Sequence, residues 1–257
     1  MAKQLLFYDL ITPVSSARHR GWSVKPYDKF SFASNVNSVP LMAAEFVAAA
    51  HEYPIVFTLD ENKVAMPVVV LGYDADRSLY VKSDGSWDAK YVPAFIRRYP
   101  FIFSASDDEQ TLTLCIDEAY AGFVRGDNDG ERLFNDDGDR TPYLERMLEF
   151  VNQYQGEHQR TVAYGKVLAD LDILQASEAK FAFADGKEHA LGGFYCVSRE
   201  KLKALDPDKL KEIFANDLLE LIYLHLYSLR NFEGLILRSA TEQTAGPQDE
   251  SKSGAPQ

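Results

Sequence analysis

The chain has 257 residues, 46% of them hydrophobic and 12% aromatic, which is enough for one large domain or two small ones and too apolar for wholesale disorder. Its 39 acidic against 27 basic residues give a formal net charge of −12. That balance argues against sequence-independent attraction to nucleic acid or to an anionic membrane surface, since cationic side chains drive both. The acidic excess is concentrated between Asp107 and Asp139, which leaves room for a basic patch elsewhere.

In chain order, MAKQLLFYDL is a short apolar run broken by Asp9, too short for a secretory leader. Lys25 to Ala33 (KPYDKFSFA) alternates aromatic and polar residues, as a half-buried strand does. Ser38-Val39-Pro40 opens a short helix, LMAAEFVAAAHEY, with proline in its first turn, and Pro54 ends it. PIVFTL and VAMPVVVLGY then form a hairpin around Asp60-Glu61-Asn62-Lys63, and Pro67 places the second run at a sheet edge or breaks it. SLYVKSDGSW predicts a further strand and an Asp-Gly turn, and IFSAS pairs with TLTLCID across Asp107-Asp108-Glu109.

The second half reads as helical. Thr141 caps a helix with Pro142 at its first position, Leu144, Met147, Leu148 and Val151 make one face, and after Gly156 the spacing recurs at Tyr164, Val167, Leu168 and Leu171. GGFYCVS is a short strand and Ser198 caps a brief helix. Asp206-Pro207 starts the last and most apolar helix, which ends near Arg230 and should run through the core. LLELIYLHLYSL within it carries Glu220 and His225 and is too short to cross a bilayer. From Ser239 onward there is no aromatic and no large aliphatic residue. The predicted architecture is α+β, with an antiparallel sheet in the N-terminal half packed against a mainly helical C-terminal half. Residues 1–238 form one domain and 239–257 a disordered tail.

Chemistry is sparsely signalled. The acidic stretch GDNDGERLFNDDGD fails the calcium-loop pattern in every register, because Arg132, Arg125 or Leu133 falls on a required glycine or ligand position. The five histidines and two cysteines form no metal-ligand spacing, and no nucleotide-binding or nucleophile-elbow motif is present. No metal and no cofactor are expected. His225 reads as a hydrogen-bonded core histidine. Cys115 and Cys196 read as buried free thiols of a reducing compartment, with a single disulfide left open by spacing alone.

Two features remain. Glu45 is the one charged residue in an apolar helix, so it needs a basic or hydrogen-bond-donating partner, and it reads as a structural group or as a functional acid. The segment SDGSWDAKYVPAFIRRYPF holds a short helix between Pro93 and Pro100. Tyr91, Phe95 and Tyr99 should belong mostly to the core, and Trp87 and at least one of Arg97 and Arg98 should reach the surface or line a cleft. The alternative is that Trp87 plugs a sheet edge and the arginines pair with the acidic loop.

The order FSFASNVNSVPLMAAEF, EYPIVFTL, SDGSWDAKYVPAFIRRYPF, GERLFNDDGDRTPYLERMLEFV, GGFYCVSREKLKAL and LHLYSLRNFEGL resembles the SapC family of bacterial proteins. The family takes its name from a surface-layer protein locus, and its members are also met near genes for outer-membrane receptors and flavin-dependent halogenases. The resemblance implies a Gram-negative source and an accessory role, and it supplies no mechanism and no catalytic residues. The expected function is that of a non-catalytic cytoplasmic binding or accessory protein engaging a protein or peptide partner, with Trp87, Arg97, Arg98 and Glu45 as the binding residues. Neither nucleic acid nor membrane insertion enters that expectation, and no oligomeric state follows from it. The competing expectation is an enzyme acting on a peptide or small metabolite, with a site near Glu45 and Trp87–Arg98.

Overall fold

A computed structural model describes residues 6–25, 29–105, 111–126, 130–182 and 188–244. Its largest sheet has five antiparallel strands in the order β10 (Leu174–Ala182), β11 (Glu188–Val197), β4 (Ile55–Leu59), β5 (Ala65–Val70) and β3 (Ser38–Pro40). β4 reads as a continuous apolar run because it lies between β11 and β5, with Ile55, Val56 and Phe57 buried. The register of β4 on β5 runs from Ile55↔Val69 to Leu59↔Ala65, as the hairpin reading requires.

Pro67 lies in an interior strand, not at an edge. Its carbonyl accepts from Leu41 N at 3.0 Å, on the side where β3 has already ended, so its missing N–H interrupts no ladder. Pro40 is likewise a strand residue. It ends β3, the edge strand, and the helical turn begins later, as a 3-10 turn Ala43–Glu45 running into α2 (Phe46–Ala49). The strand read over Lys25–Ala33 becomes β2 (Trp22–Val24) followed by a 3-10 turn at Ser31–Ala33, and Pro26–Asp28 lie outside the described residues.

Two three-stranded sheets complete the N-terminal half. One orders β1 (Ile11–Pro13), β7 (Leu112–Asp117) and β6 (Phe101–Ala105); the other orders β8 (Phe123–Arg125), β2 and β9 (Glu131–Arg132), with α1 (Ser16–His19) between β1 and β2 in sequence. SLYVKSDGSW closes through one bridge, Val81↔Trp87, not a full strand, and Gly85 takes φ 84° in its turn.

A single 29-residue helix, α4 (Pro142–Asp170), joins the parts. The Thr141 hydroxyl accepts from Leu144 N and starts it, and it passes through Gly156 without a break. Its Leu144 and Val151 enter a core with Trp22, Phe101, Ile116 and Leu133. Its Tyr154, Tyr164 and Leu168 enter the main core with Phe46, Phe57 and Val69. At Gly165 the helix comes so close to β5 that a Cβ would collide with the Ala65 carbonyl.

The C-terminal part carries α5 (Arg199–Lys203), α6 (Pro207–Ala215), α7 (Leu218–Ser228) and α8 (Phe232–Thr244). The one apolar helix expected from Asp206 to Arg230 is therefore two, parted at Asp217 with φ 58°. α7 buries Ile222, His225 and Leu226 and exposes Tyr223 and Tyr227, so it covers the core with one face and does not run through it. Where β11 leaves β4 after the Tyr195↔Phe57 pair, α7 takes over the hydrogen bonding. Ile55 N donates to Ser228 Oγ at 2.9 Å, His225 Nδ1 lies 2.7 Å from Ile55 O, and Val197 N donates to His225 Nε2 at 3.0 Å. The hairpin partner of β11 missed by sequence is the strand β10, which pairs with it from Leu174↔Val197 to Ala182↔Glu188. The last helix runs past Arg238 to Thr244, with Ser239 buried; residues 245–257 of the expected tail lie outside the described residues.

Candidate functional site

The segment between Trp87 and Pro100 crosses the junction of the two cores, against the middle of α4. Its anchor is Glu45, which is 7% exposed. One carboxyl oxygen accepts from Met42 N at 2.8 Å, closing the 3-10 turn onto its own start, and Thr161 Oγ of α4 accepts from Ala43 N beside it at 2.9 Å. The other oxygen accepts from the Tyr91 phenol at 2.6 Å and from Ala94 N, at the start of α3 (Ala94–Arg97), at 2.7 Å. The carboxyl group thus has hydrogen-bond donors and no basic contact among the described residues. It ties two helical turns together and satisfies backbone N–H groups that would otherwise be orphaned.

Trp87 is half-buried. Its indole N–H donates to the Tyr53 hydroxyl at 2.8 Å and to Tyr91 O at 3.2 Å, and its ring stacks near Tyr80 and meets Phe30 edge-on. The Tyr53 hydroxyl donates in turn to Tyr91 O. The polar handle expected at the surface is therefore turned inward. Phe95 is buried, Tyr91 and Tyr99 are half-buried, and the Tyr99 phenol bonds Asp117.

The arginines behave differently. Arg97 is exposed; its Nε donates to Val92 O at 2.9 Å, and its guanidinium lies 5.8 Å from the Tyr91 ring centroid and 5.2 Å from that of Phe150. The Arg98 guanidinium lies 4.3 Å from the ring centroid of Phe95, 4.5 Å from that of Tyr154 and 5.9 Å from that of Tyr8. Its buried Nε has no acceptor. Neither arginine meets a carboxylate within ion-pair distance among the described residues, and the acidic residues Asp127–Asp129 lie outside them.

The surrounding ionisations follow from this. Burial pushes the Tyr8 hydroxyl up to about 12, with Arg98 pulling it back. Burial and the Glu45 carboxyl raise Tyr91. His158, one turn beyond Tyr154 on α4, is pushed below its ordinary 6.5 by burial and by the Arg98 charge.

Phe150, Tyr154 and His158 of α4 carry no local signal in the sequence that links them to Arg97 and Arg98. A second acidic pair was also unmarked. Asp117, fully buried, accepts from Asp9 N and Leu10 N at 2.9 Å each, from Ala119 N and from Tyr99. Glu118 accepts from Arg18 and from His19 Nε2, and the Arg18 contact, aided by His19, holds its carboxyl down to about 2. Asp117 staples the approach to the N-terminal strand to β7, and Glu118 ties α1 to the residue that follows β7.

An open cleft of about 780 Å³ lies elsewhere, between Ser31–Asn35 and Asp74–Ser83. It includes none of Glu45, Trp87, Arg97 or Arg98, and two of its charged residues are already paired, Asp74 with His189 at 3.3 Å and Lys82 with Asp88 at 2.9 Å. Among the described residues no cluster of three or more His, Cys, Asp or Glu could hold a metal ion, and no helix is long and apolar enough to cross a membrane.

Together these features define an α+β protein of antiparallel sheets whose short α3 presents two arginines along the aromatic face of a long helix. The chain belongs to the SapC family, whose model matches residues 14–235. No curated protein and no solved structure matches it.

Proposed function

We propose that this chain is a non-catalytic accessory protein of the cytoplasm that engages a protein or peptide partner through the seam between α3 and α4. One observation carries the reading: two guanidinium groups rest on aromatic rings with no acidic contact from the described residues. Arginine beside aromatic area is the combination most used at binding hot spots, because it offers planar hydrogen bonding and apolar contact together. Glu45 and Trp87 enter this site as supports, holding Tyr91 and the start of α3 from behind. Two buried cysteine thiols suit a reducing compartment. The link to surface-layer or envelope machinery rests on the family's name.

The enzyme reading around Glu45 and Trp87–Arg98 has less to draw on, since both Glu45 oxygens and the Trp87 N–H already bond groups of the same chain. Affinity capture from a lysate of the source bacterium tests the choice, using the wild type and Arg97→Gln side by side and screening the eluates for small molecules. A partner protein retained by the wild type and depleted at least about fivefold by Arg97→Gln is expected, the scale of a hot-spot loss above 1 kcal/mol. Equal retention by both proteins, or a co-purified metabolite in place of a partner, sinks the proposal.

A further inference from the structure

We infer that the partner presents carboxylates to this seam, where Arg97 and Arg98 take an acidic peptide segment through their terminal guanidinium nitrogens. The inference rests on the peptide-partner reading above and names its chemistry. Phe150 and Tyr154, the rings under the two arginines, are four residues apart on α4 and so lie on one face, with Cβ atoms about 5–6 Å apart. Two cations along one face match carboxylates carried by one short acidic segment.

The acids of the chain itself do not occupy these forks. Glu45 and Asp117 are the buried carboxyl groups nearest the site, sensed by Tyr154 and Tyr8. Each is instead surrounded by neutral donors: Met42 N, Ala94 N and Tyr91 for Glu45, and Asp9 N, Leu10 N, Ala119 N and Tyr99 for Asp117. Neither carboxyl group lies within ion-pair distance of Arg97 or Arg98 among the described residues. A guanidinium lying over aromatic rings is partly ordered before any ligand arrives, so a bidentate carboxylate gains its hydrogen bonds at lower entropic cost.

The net charge of −12 restricts which anions can bind. Repulsion over long range fades within about 8 Å at physiological ionic strength, so the site can be read only at contact. A nucleic acid, which needs a broad basic surface, is disfavoured by the same balance. His158 is the built-in reporter, because burial first and then the Arg98 charge depress its protonation, and a carboxylate bound to Arg98 should offset the second of these.

The test uses full-length protein with end-blocked, dye-labelled hexaglutamate, hexaglutamine and hexalysine, read by fluorescence anisotropy, with His158 followed by NMR titration. Hexaglutamate should bind at least about tenfold more tightly than the other two, Arg97→Gln and Arg98→Gln should each weaken it at least about fivefold, and bound hexaglutamate should move the His158 midpoint upward. If Arg98→Gln does not fold, Arg97→Gln and the His158 shift in the wild type decide. Free-ended hexaglutamine matching hexaglutamate would support carboxylate recognition and assign the group to a chain terminus. Hexaglutamine binding as tightly with blocked ends, hexaglutamate binding without moving His158, or no binding of any peptide overturns the inference. The peptide-partner reading fails separately, on whether wild-type protein captures a protein partner at all in the capture experiment.

Discussion

His225 sits in the most apolar helix of the chain, and its surroundings specify both ring nitrogens. Nε2 accepts from Val197 N, so Nδ1 carries the proton and donates to Ile55 O. The neutral ring therefore stitches β11 to β4, and burial moves its pKa from 6.5 to about 4. The unfolded chain binds the extra proton between those values, so the stabilisation is complete above pH 6.5 and is lost as pH falls toward 4. Urea unfolding across pH 4 to 7 should lose roughly 3 kcal/mol from this group. His225→Phe should be less stable at pH 7 by roughly 2–4 kcal/mol, through two orphaned backbone groups, and should show a flatter profile in that window. An unchanged profile would remove the neutral-ring account. Glu45 belongs to the same scale. Glu45→Ala orphans the Met42 and Ala94 N–H groups and the Tyr91 phenol, and should cost roughly 1–4 kcal/mol in equilibrium unfolding, with Glu45→Gln milder. Full stability of Glu45→Ala would show that the anchor is not structural.

At the scale of elements, α4 was legible because its cap, its N1 proline and its apolar face agree. Its two glycines differ in a way that sequence does not reveal. Gly156 has open space around it, so Gly156→Ala should stabilise by about 0.5–1 kcal/mol, whereas Gly165→Ala meets the Ala65 carbonyl and should cost roughly 1–3 kcal/mol. Thermal melts of the two variants moving in the same direction would contradict this packing of α4 on β5. β10 was missed because its register shifts between Ser177 and Ala179, which breaks the two-residue alternation that marks a strand. Pro40 was misread because proline fits both a first helical turn and the end of an edge strand, and only the pairing with Val68 decides. The C-terminal boundary also moves. Arg238 bonds Asp88 and lies 4.2 Å from the Tyr80 ring, so Arg238→Ala should cost about 1 kcal/mol. Truncation after Thr244 should leave the melting temperature within about a degree or two, since it removes no large apolar side chain; a clear drop would show docking of that stretch.

For the whole molecule, the fold class followed from the order of apolar patterns, because strand hairpins and helical faces are local. The site was only half legible. Arg97 and Arg98 stood out as consecutive cations that one short helix could not bury, and Glu45 stood out as an acid needing partners. Phe150, Tyr154 and His158 could not be linked to them, since α4 reaches the arginines through long-range packing. Trp87 was placed outward because nothing local shows that Tyr53 and Tyr91 O receive its N–H. The most direct test of the central claim is amide hydrogen exchange on the full-length protein with and without its captured partner. The account predicts new protection at residues 91–98 and 150–158 and little change around the Ser31–Ser83 cleft. Protection confined to that cleft, or to the exposed Tyr223 and Tyr227 face of α7, would contradict it.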